Sequence, residues 1–170
     1  ICSDKFSMPD KVKAAIAATE QSYLEIDMDD PNMMAESKKH MRQKTSISSL
    51  LSQTDSLYAD SLLKANLGIG LHQLNHVKPL IISAMLVQKK FTCPIVSFES
   101  EIIKIVKSEN RETYGLSSIE EQYSFLNKIF DNKDFIPYLR TIHKFNMDSL
   151  LSDIQEAYIR EDLASINQIM

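Results

Sequence analysis

The chain has 170 residues, of which 44% are hydrophobic and 25% charged, so it can bury a core without metal or disulfide staples and is too apolar to be disordered. Nineteen Lys and Arg against 23 Asp and Glu leave a net charge of −4, which argues against nucleic acid as the main partner. No apolar run approaches the roughly 20 residues of a membrane helix, and three glycines, Gly68 and Gly70 among them, cannot build a phosphate-cradling loop.

Pro9 and Asp10 open a helix with Val12, Ala15, Ile16 and Thr19 along one side. From Ser22 to Met28 the period becomes two, with Leu24, Ile26 and Met28 on one face and Tyr23, Glu25 and Asp27 on the other, which predicts a strand. Asp29, Asp30 and Pro31 stop it. The Met-, Lys- and Ser-rich stretch through Lys44 reads as a polar helix or a connection. Helical spacing returns with Tyr58, Leu62 and Ala65, and Gly68 is a C-terminal stop. Pro79 suits the first turn of a helix burying Leu80, Ile81, Ala84 and Met85.

Cys93 and Pro94 punctuate the chain before a helix from about Ser97, with Phe98, Ile102 and Ile105 inward. Thr113 to Leu116 reads as a second short strand. Ser118 with Glu121 forms a capping box for a helix on which Ile119, Gln122, Leu126 and Ile129 share a side. Met147, Leu150, Leu151, Ile154, Ala157 and Tyr158 make the cleanest apolar stripe. No repeat and no low-complexity linker divides the chain. The expectation is a mainly α fold with a small β component (α+β), a single helical domain over 1–170 with one or two short strands and one core.

Glu25 and Asp27 are the first candidates for chemistry. Two residues apart on a strand, their carboxylates would share a face, roughly 6–7 Å apart along the backbone. Such a pair can bind a divalent metal or divide acid and base roles, but the residues by themselves favour a solvated strand face before an acidic turn. The segment His72-Gln73-Leu74-Asn75-His76 spaces two histidines like a zinc-protease helix. Gln73 stands where that motif needs a proton-accepting Glu, which favours helix-end histidines. Ser117 and Ser118 sit where a helix cap is wanted, with no histidine or acid in a telling relation to them.

Cys2 and Cys93 leave two readings open, a disulfide in a cell envelope or two free thiols in a cytosol. Cys93, beside Pro94 and an apolar Ile95-Val96, reads as structural rather than as an activated thiolate. Lys38, Lys39, Arg42 and Lys44 form a basic cluster without interleaved aromatics, which reads as a solvated face. The eight methionines read as core filler, with Met28, Met33 and Met34 close enough in sequence to line a groove.

Several segments, in order, resemble the TraB/GumN family, whose animal relatives include the TIKI proteases. Phe6-x-Met8-Pro9-Asp10-Lys11-Val12 leads through a short helix to Tyr23-Leu24-Glu25-Ile26-Asp27, as the family's early helix feeds a strand ending in a glutamate of its active site. Val77-Lys78-Pro79-Leu80 is similar to the family's Leu-Lys-Pro-Trp, with Leu80 in the aromatic position. Tyr114-Gly115-Leu116-Ser117-Ser118-Ile119-Glu120-Glu121-Gln122 resembles its Gly-Leu-Glu-Thr and following Gln-containing helix, and Ala157-Tyr158-x-x-x-Asp162-Leu163 its late Tyr and Gly-Asp-Leu.

The resemblance implies a metal-dependent peptidase or hydrolase acting on a peptide or protein substrate, located in the bacterial periplasm or cell envelope, with a cytoplasmic location left open. Glu25 carries over as general base or ligand, with Asp27 its weaker neighbour. The family's two Gly-x-x-His motifs, one before the first helix and one near the C-terminus, do not occur among these residues. Nor does the family's Arg-containing segment after the Tyr-Asp helix, and Ser117 stands where a Glu often follows Gly-Leu.

Ile1 in place of a methionine adds the expectation that this is a processed or excised central portion. On that view the divalent metal belongs to the complete protein, this chain alone holds no cofactor, and the isolated segment is inactive. Two other readings stand beside it: a non-catalytic peptide- or ligand-binding module on the same scaffold, and a helical cap or dimerisation layer that would make the chain a homo-oligomer.

Overall fold

Polar side chains start several of the helices, supplying partners to backbone N–H groups that a helix start leaves unsatisfied. The computed structural model describes residues 2–142 and 146–169; the expected domain limits, Ile1 and Met170, lie outside the described residues. α1 (Asp10–Ala17) follows Pro9 and leads into β1 (Ser22–Leu24). α2 (Met33–His40) precedes a 3-10 turn at Ile47–Leu50. α3 (Gln53–Leu67) begins where Ser52 Oγ accepts the Asp55 N–H at 3.1 Å. It ends at Gly68, whose φ of 75° lies in the left-handed region that glycine adopts without strain.

α4 (Leu71–Leu74) and α5 (Pro79–Gln88) follow, with Pro79 in the first turn of α5. α6 (Phe98–Ser108) is capped by Ser97 and leads to β2 (Thr113–Gly115). α7 (Ile119–Ile129) opens on the reciprocal box expected from Ser118 and Glu121. Ser118 Oγ accepts the Glu121 N–H at 3.2 Å and Glu121 Oε2 accepts the Ser118 N–H at 2.8 Å. α8 (Phe135–Ile142), α9 (Met147–Ile159) and α10 (Leu163–Ile169) complete the order, and Asp162 starts α10 by accepting the Ser165 N–H at 3.0 Å. The fold is mainly α with a small β component. No helix among the described residues is long and apolar enough to cross a membrane.

The two strands pair in parallel, Ser22 with Thr113, Tyr23 with Tyr114 and Leu24 with Gly115. Parallel neighbours need a crossover, supplied here by the chain from α2 to α6. Arg111, just before β2, donates to the Ile16 carbonyl at 3.1 Å and to the Thr19 carbonyl, tying the end of α1 to the approach of β2.

The core gathers α3, α4, α5 and α8 around Ile47, Leu63, Ile82, Phe135 and Leu139. Each such burial stabilises the fold by roughly 1.5–3 kcal/mol. Met8, Ile16, Leu24, Val106 and Ala157 are buried outside that cluster.

Helix faces depart from the periodic reading in two places. α5 buries Pro79, Ile82, Ser83 and Leu86, whereas Leu80, Ile81 and Met85 are half-buried and Ala84 is exposed. Its sequence is apolar nearly all round, so periodicity cannot choose a face, and Ser83 is tolerated inside because its hydroxyl donates to the Pro79 carbonyl at 2.9 Å. On α7 no residue is buried, and Ile129 is 63% exposed. That helix packs on polar α2, where Tyr123 stacks on His40 with ring centroids 5.5 Å apart.

On α6 it is Val106 that is buried, with Phe98, Ile102 and Ile105 half-buried. On α9 Ala157 is buried; the side chain of Met147 lies outside the described residues.

Candidate functional site

Glu25, Asp27, Ser117 and Ser118, four of the polar side chains singled out by the sequence, lie near the carboxyl end of the strand pair. β1 ends at Leu24, not at Met28 as the alternation suggested, so no strand presents Glu25 and Asp27 on a common face. The reason lies in backbone partners. The Leu24 carbonyl accepts the Leu116 N–H at 2.8 Å, and the Glu25 carbonyl then accepts both the Ser117 N–H at 3.1 Å and the Ser117 hydroxyl at 3.0 Å. Past that point the chain turns, and Asp27 Oδ1 accepts the Asp29 N–H at 3.3 Å.

Glu25 is exposed, and its carboxylate has no hydrogen-bond or ion-pair partner among the described residues. Ser117, the expected glutamate position, is occupied with the backbone: its Oγ also accepts the Gln122 Nε2–H at 2.8 Å from the first turn of α7. Tyr23 and Tyr114 sit side by side on the exposed face, with ring centroids 5.4 Å apart.

Asp27 belongs to a different network. Asp29 accepts a hydrogen bond from the Thr113 hydroxyl at 2.5 Å and pairs with Lys107 Nζ at 3.0 Å. The Thr113 bond, with help from Asp27 and Lys107, holds the Asp29 carboxyl down at about 2. The hydrogen bond with Asp29, aided by desolvation, pushes Asp27 up. Asp29, Thr113, Lys107 and Gln122 were not legible as site residues; Asp29 read only as a strand stop.

The other sequence candidates are accounted for by structure. α4 ends at Leu74, so His72 and His76 do not share a helical turn. Gln73 caps that helix by accepting the Gly70 N–H at 3.1 Å, and His76 Nδ1 lies 3.3 Å from the Gln43 carbonyl. Ser118 is the cap of α7. Cys2 and Cys93 form a disulfide with Cα atoms 5.6 Å apart, so Cys93 is no thiolate. Lys38, Arg42 and Lys44 are exposed, and Lys39 pairs with Glu36 at 2.5 Å. Met28 and Met33 are half-buried, and Met34 is exposed.

A divalent metal does not fit the residues present. Among the described residues no three His, Cys, Asp or Glu side chains stand close enough to hold one. The nearest acidic pair, Asp27 and Asp29, already has the Lys107 ammonium against it, which opposes a second cation.

No curated protein and no solved structure matches the chain. A family model matches residues 2–170, nearly the whole length, and on that match the chain belongs to the TraB/PrgY/gumN family.

Proposed function

We propose that this chain supplies the proton-accepting carboxylate, Glu25, of a peptidase-like hydrolase site at the carboxyl end of the β1–β2 pair. One observation carries the reading. Glu25 is the first residue past a parallel strand, its backbone is fixed by two donors from Ser117, and its carboxylate is exposed and unengaged. Crevices at the carboxyl ends of parallel strands are where α/β sheets place their ligands, and a positioned carboxylate can take a proton from water as its oxygen adds to a peptide carbonyl. Asp27 is a poorer base, because it is engaged with Asp29.

The divalent ion implied by the family resemblance would take its ligands from outside the described residues. The Cys2–Cys93 disulfide supports an oxidising compartment such as the bacterial envelope, where such bonds persist. The test is Glu25→Gln in the protein at its full natural length, assayed on a protein substrate and a fluorogenic peptide library. Loss of a general base lowers turnover by about 10²–10⁴-fold, with the unfolding midpoint unchanged. Full activity in that variant would exclude Glu25 from the chemistry.

A further inference from the structure

Three hollows adjoin one another along α9. The first is an apolar cleft of about 350 Å³, walled by Phe91, Ile95 and Phe98 and by Leu151, Ile154 and Tyr158 of α9. It lies within the volume range of small-molecule sites, roughly 300–1,000 Å³. A second hollow of about 260 Å³ shares Phe91, Leu151 and Gln155 with it, and Lys5 and Lys90 also line this second space. A third shares Phe98 and Tyr158 with the first and Lys5 with the second.

The second hollow is one-sided in charge, whereas Glu99 lines the first and Glu161 the third. No carboxylate lines the second hollow, and the ammonium groups of Lys5 and Lys90 have no partner among the described residues. Lys11, in the third hollow, is by contrast paired with Glu161 at 2.5 Å. An unpaired ammonium beside an apolar wall favours an anion whose remainder is hydrocarbon.

Part of the hydrogen-bonding capacity in the groove is already engaged. Ser97 Oγ accepts the Ser100 N–H at 3.1 Å, and Gln155 Oε1 accepts the Cys2 N–H at a long 3.5 Å. The first cleft is walled mainly by aliphatic and aromatic side chains, which suits an acyl chain with no donor or acceptor to satisfy.

We infer that this groove binds a linear carboxylate-headed amphiphile, its acyl chain in the cleft between residues 91–98 and α9 and its head between Lys5 and Lys90. The inference is independent of the Glu25 reading, because none of these residues touches the strand ends described above.

The experiment is calorimetric titration of the whole chain with sodium decanoate below its micelle concentration, alongside decanol as the uncharged twin. The expected result is saturable one-to-one binding, with decanoate at least about tenfold tighter, an effect that weakens as salt is raised. Lys5→Ala with Lys90→Ala should abolish that tenfold advantage and leave decanol binding and the unfolding midpoint where they were. Both side chains are at least partly exposed, so folding is not at stake. Equal affinity for decanoate and decanol, indifference to the double substitution, absence of saturable binding, or binding of short apolar peptides in place of decanoate would each overturn the proposal.

Discussion

Ser117 holds the carbonyl oxygen of Glu25 with two donors, its own N–H at 3.1 Å and its hydroxyl at 3.0 Å. The two residues are far apart in sequence, and the contact exists because β1 and β2 run parallel and finish level with one another. Gln122 adds a third link from α7 by donating to Ser117 Oγ at 2.8 Å. The direction in which Glu25 leaves the strand is therefore set by a serine just past the neighbouring strand and a glutamine on the next helix.

Replacing that serine should cost stability. Ser117→Ala removes the hydroxyl bond to Glu25 and leaves the half-buried Gln122 amide without its acceptor, so a loss of about 1 kcal/mol is expected. Ser117→Thr, which keeps the oxygen, should recover most of it. Urea unfolding of the three proteins measures this directly; identical midpoints would mean that water replaces both bonds at no cost.

Gly115 is a sharper constraint on the same end of the sheet. A Cβ there would lie 2.7 Å from the Asp27 backbone nitrogen, 3.2 Å from the Ser117 carbonyl oxygen and 3.3 Å from the Ile26 carbonyl carbon. All three are backbone atoms, which cannot swing aside as a side chain can. Gly115→Ala should thus push the 25–27 turn away from β2, costing about 1–3 kcal/mol. In amide NMR spectra the shifts should concentrate at residues 25–27 and 115–117, and a substitution with neither loss nor local shifts would contradict the close packing.

Much of the helical framework was legible because its signals are local. Gly68, Pro79 and the Ser118–Glu121 box each fix a helix end from within a turn of chain, and each stands where the spacing placed it. Faces were harder to read. α5 has little polar contrast along its length, and α7 carries an apolar spacing that meets a polar neighbour instead of the core.

The site was only half legible. Glu25 was visible as a strand-end acid, but the strand was drawn four residues too long. What stops it is the capture of its carbonyl by Ser117 and the close approach of Gly115, both long-range. Asp29 takes its partners from Thr113 and Lys107, and no window along the chain contains all three.

That Asp29 network predicts an acid-sensitive contribution to stability. With its folded pKa lowered from 3.8 to about 2, chiefly by the Thr113 hydroxyl, Asp29 stabilises the fold fully above the unfolded value. The contribution is lost as pH falls from about 4 towards 2, and amounts to roughly 2 kcal/mol. Asp27 acts oppositely. Its raised pKa gives stability that is present below 3.8 and lost as pH rises, so it offsets part of the Asp29 effect. Thr113→Val should raise the Asp29 pKa in a carboxyl NMR titration and flatten the acid limb of the unfolding midpoint against pH. An unchanged limb would assign the acid sensitivity to other carboxyls.

The disulfide offers the largest expected effect on stability. Cys2 and Cys93 are 91 residues apart in sequence, and the bond is reinforced by a bridge between Cys2 and Ile95 and by the Ser3 N–H on the Pro94 carbonyl at 2.8 Å. Cross-linking so long a loop restricts the unfolded chain strongly, so removing the bond should cost about 2–5 kcal/mol. For a chain of this size that corresponds to a fall in Tm of several degrees or more. Cys2→Ser with Cys93→Ser measures it without exposing the protein to a reductant. The same pair of substitutions loosens the segment carrying Lys5 from the loop carrying Phe91 and Ile95, so decanoate affinity should fall with stability. A lowered Tm with undiminished decanoate binding would show that the backbone bridge alone holds the groove together, and that the disulfide acts through the unfolded state.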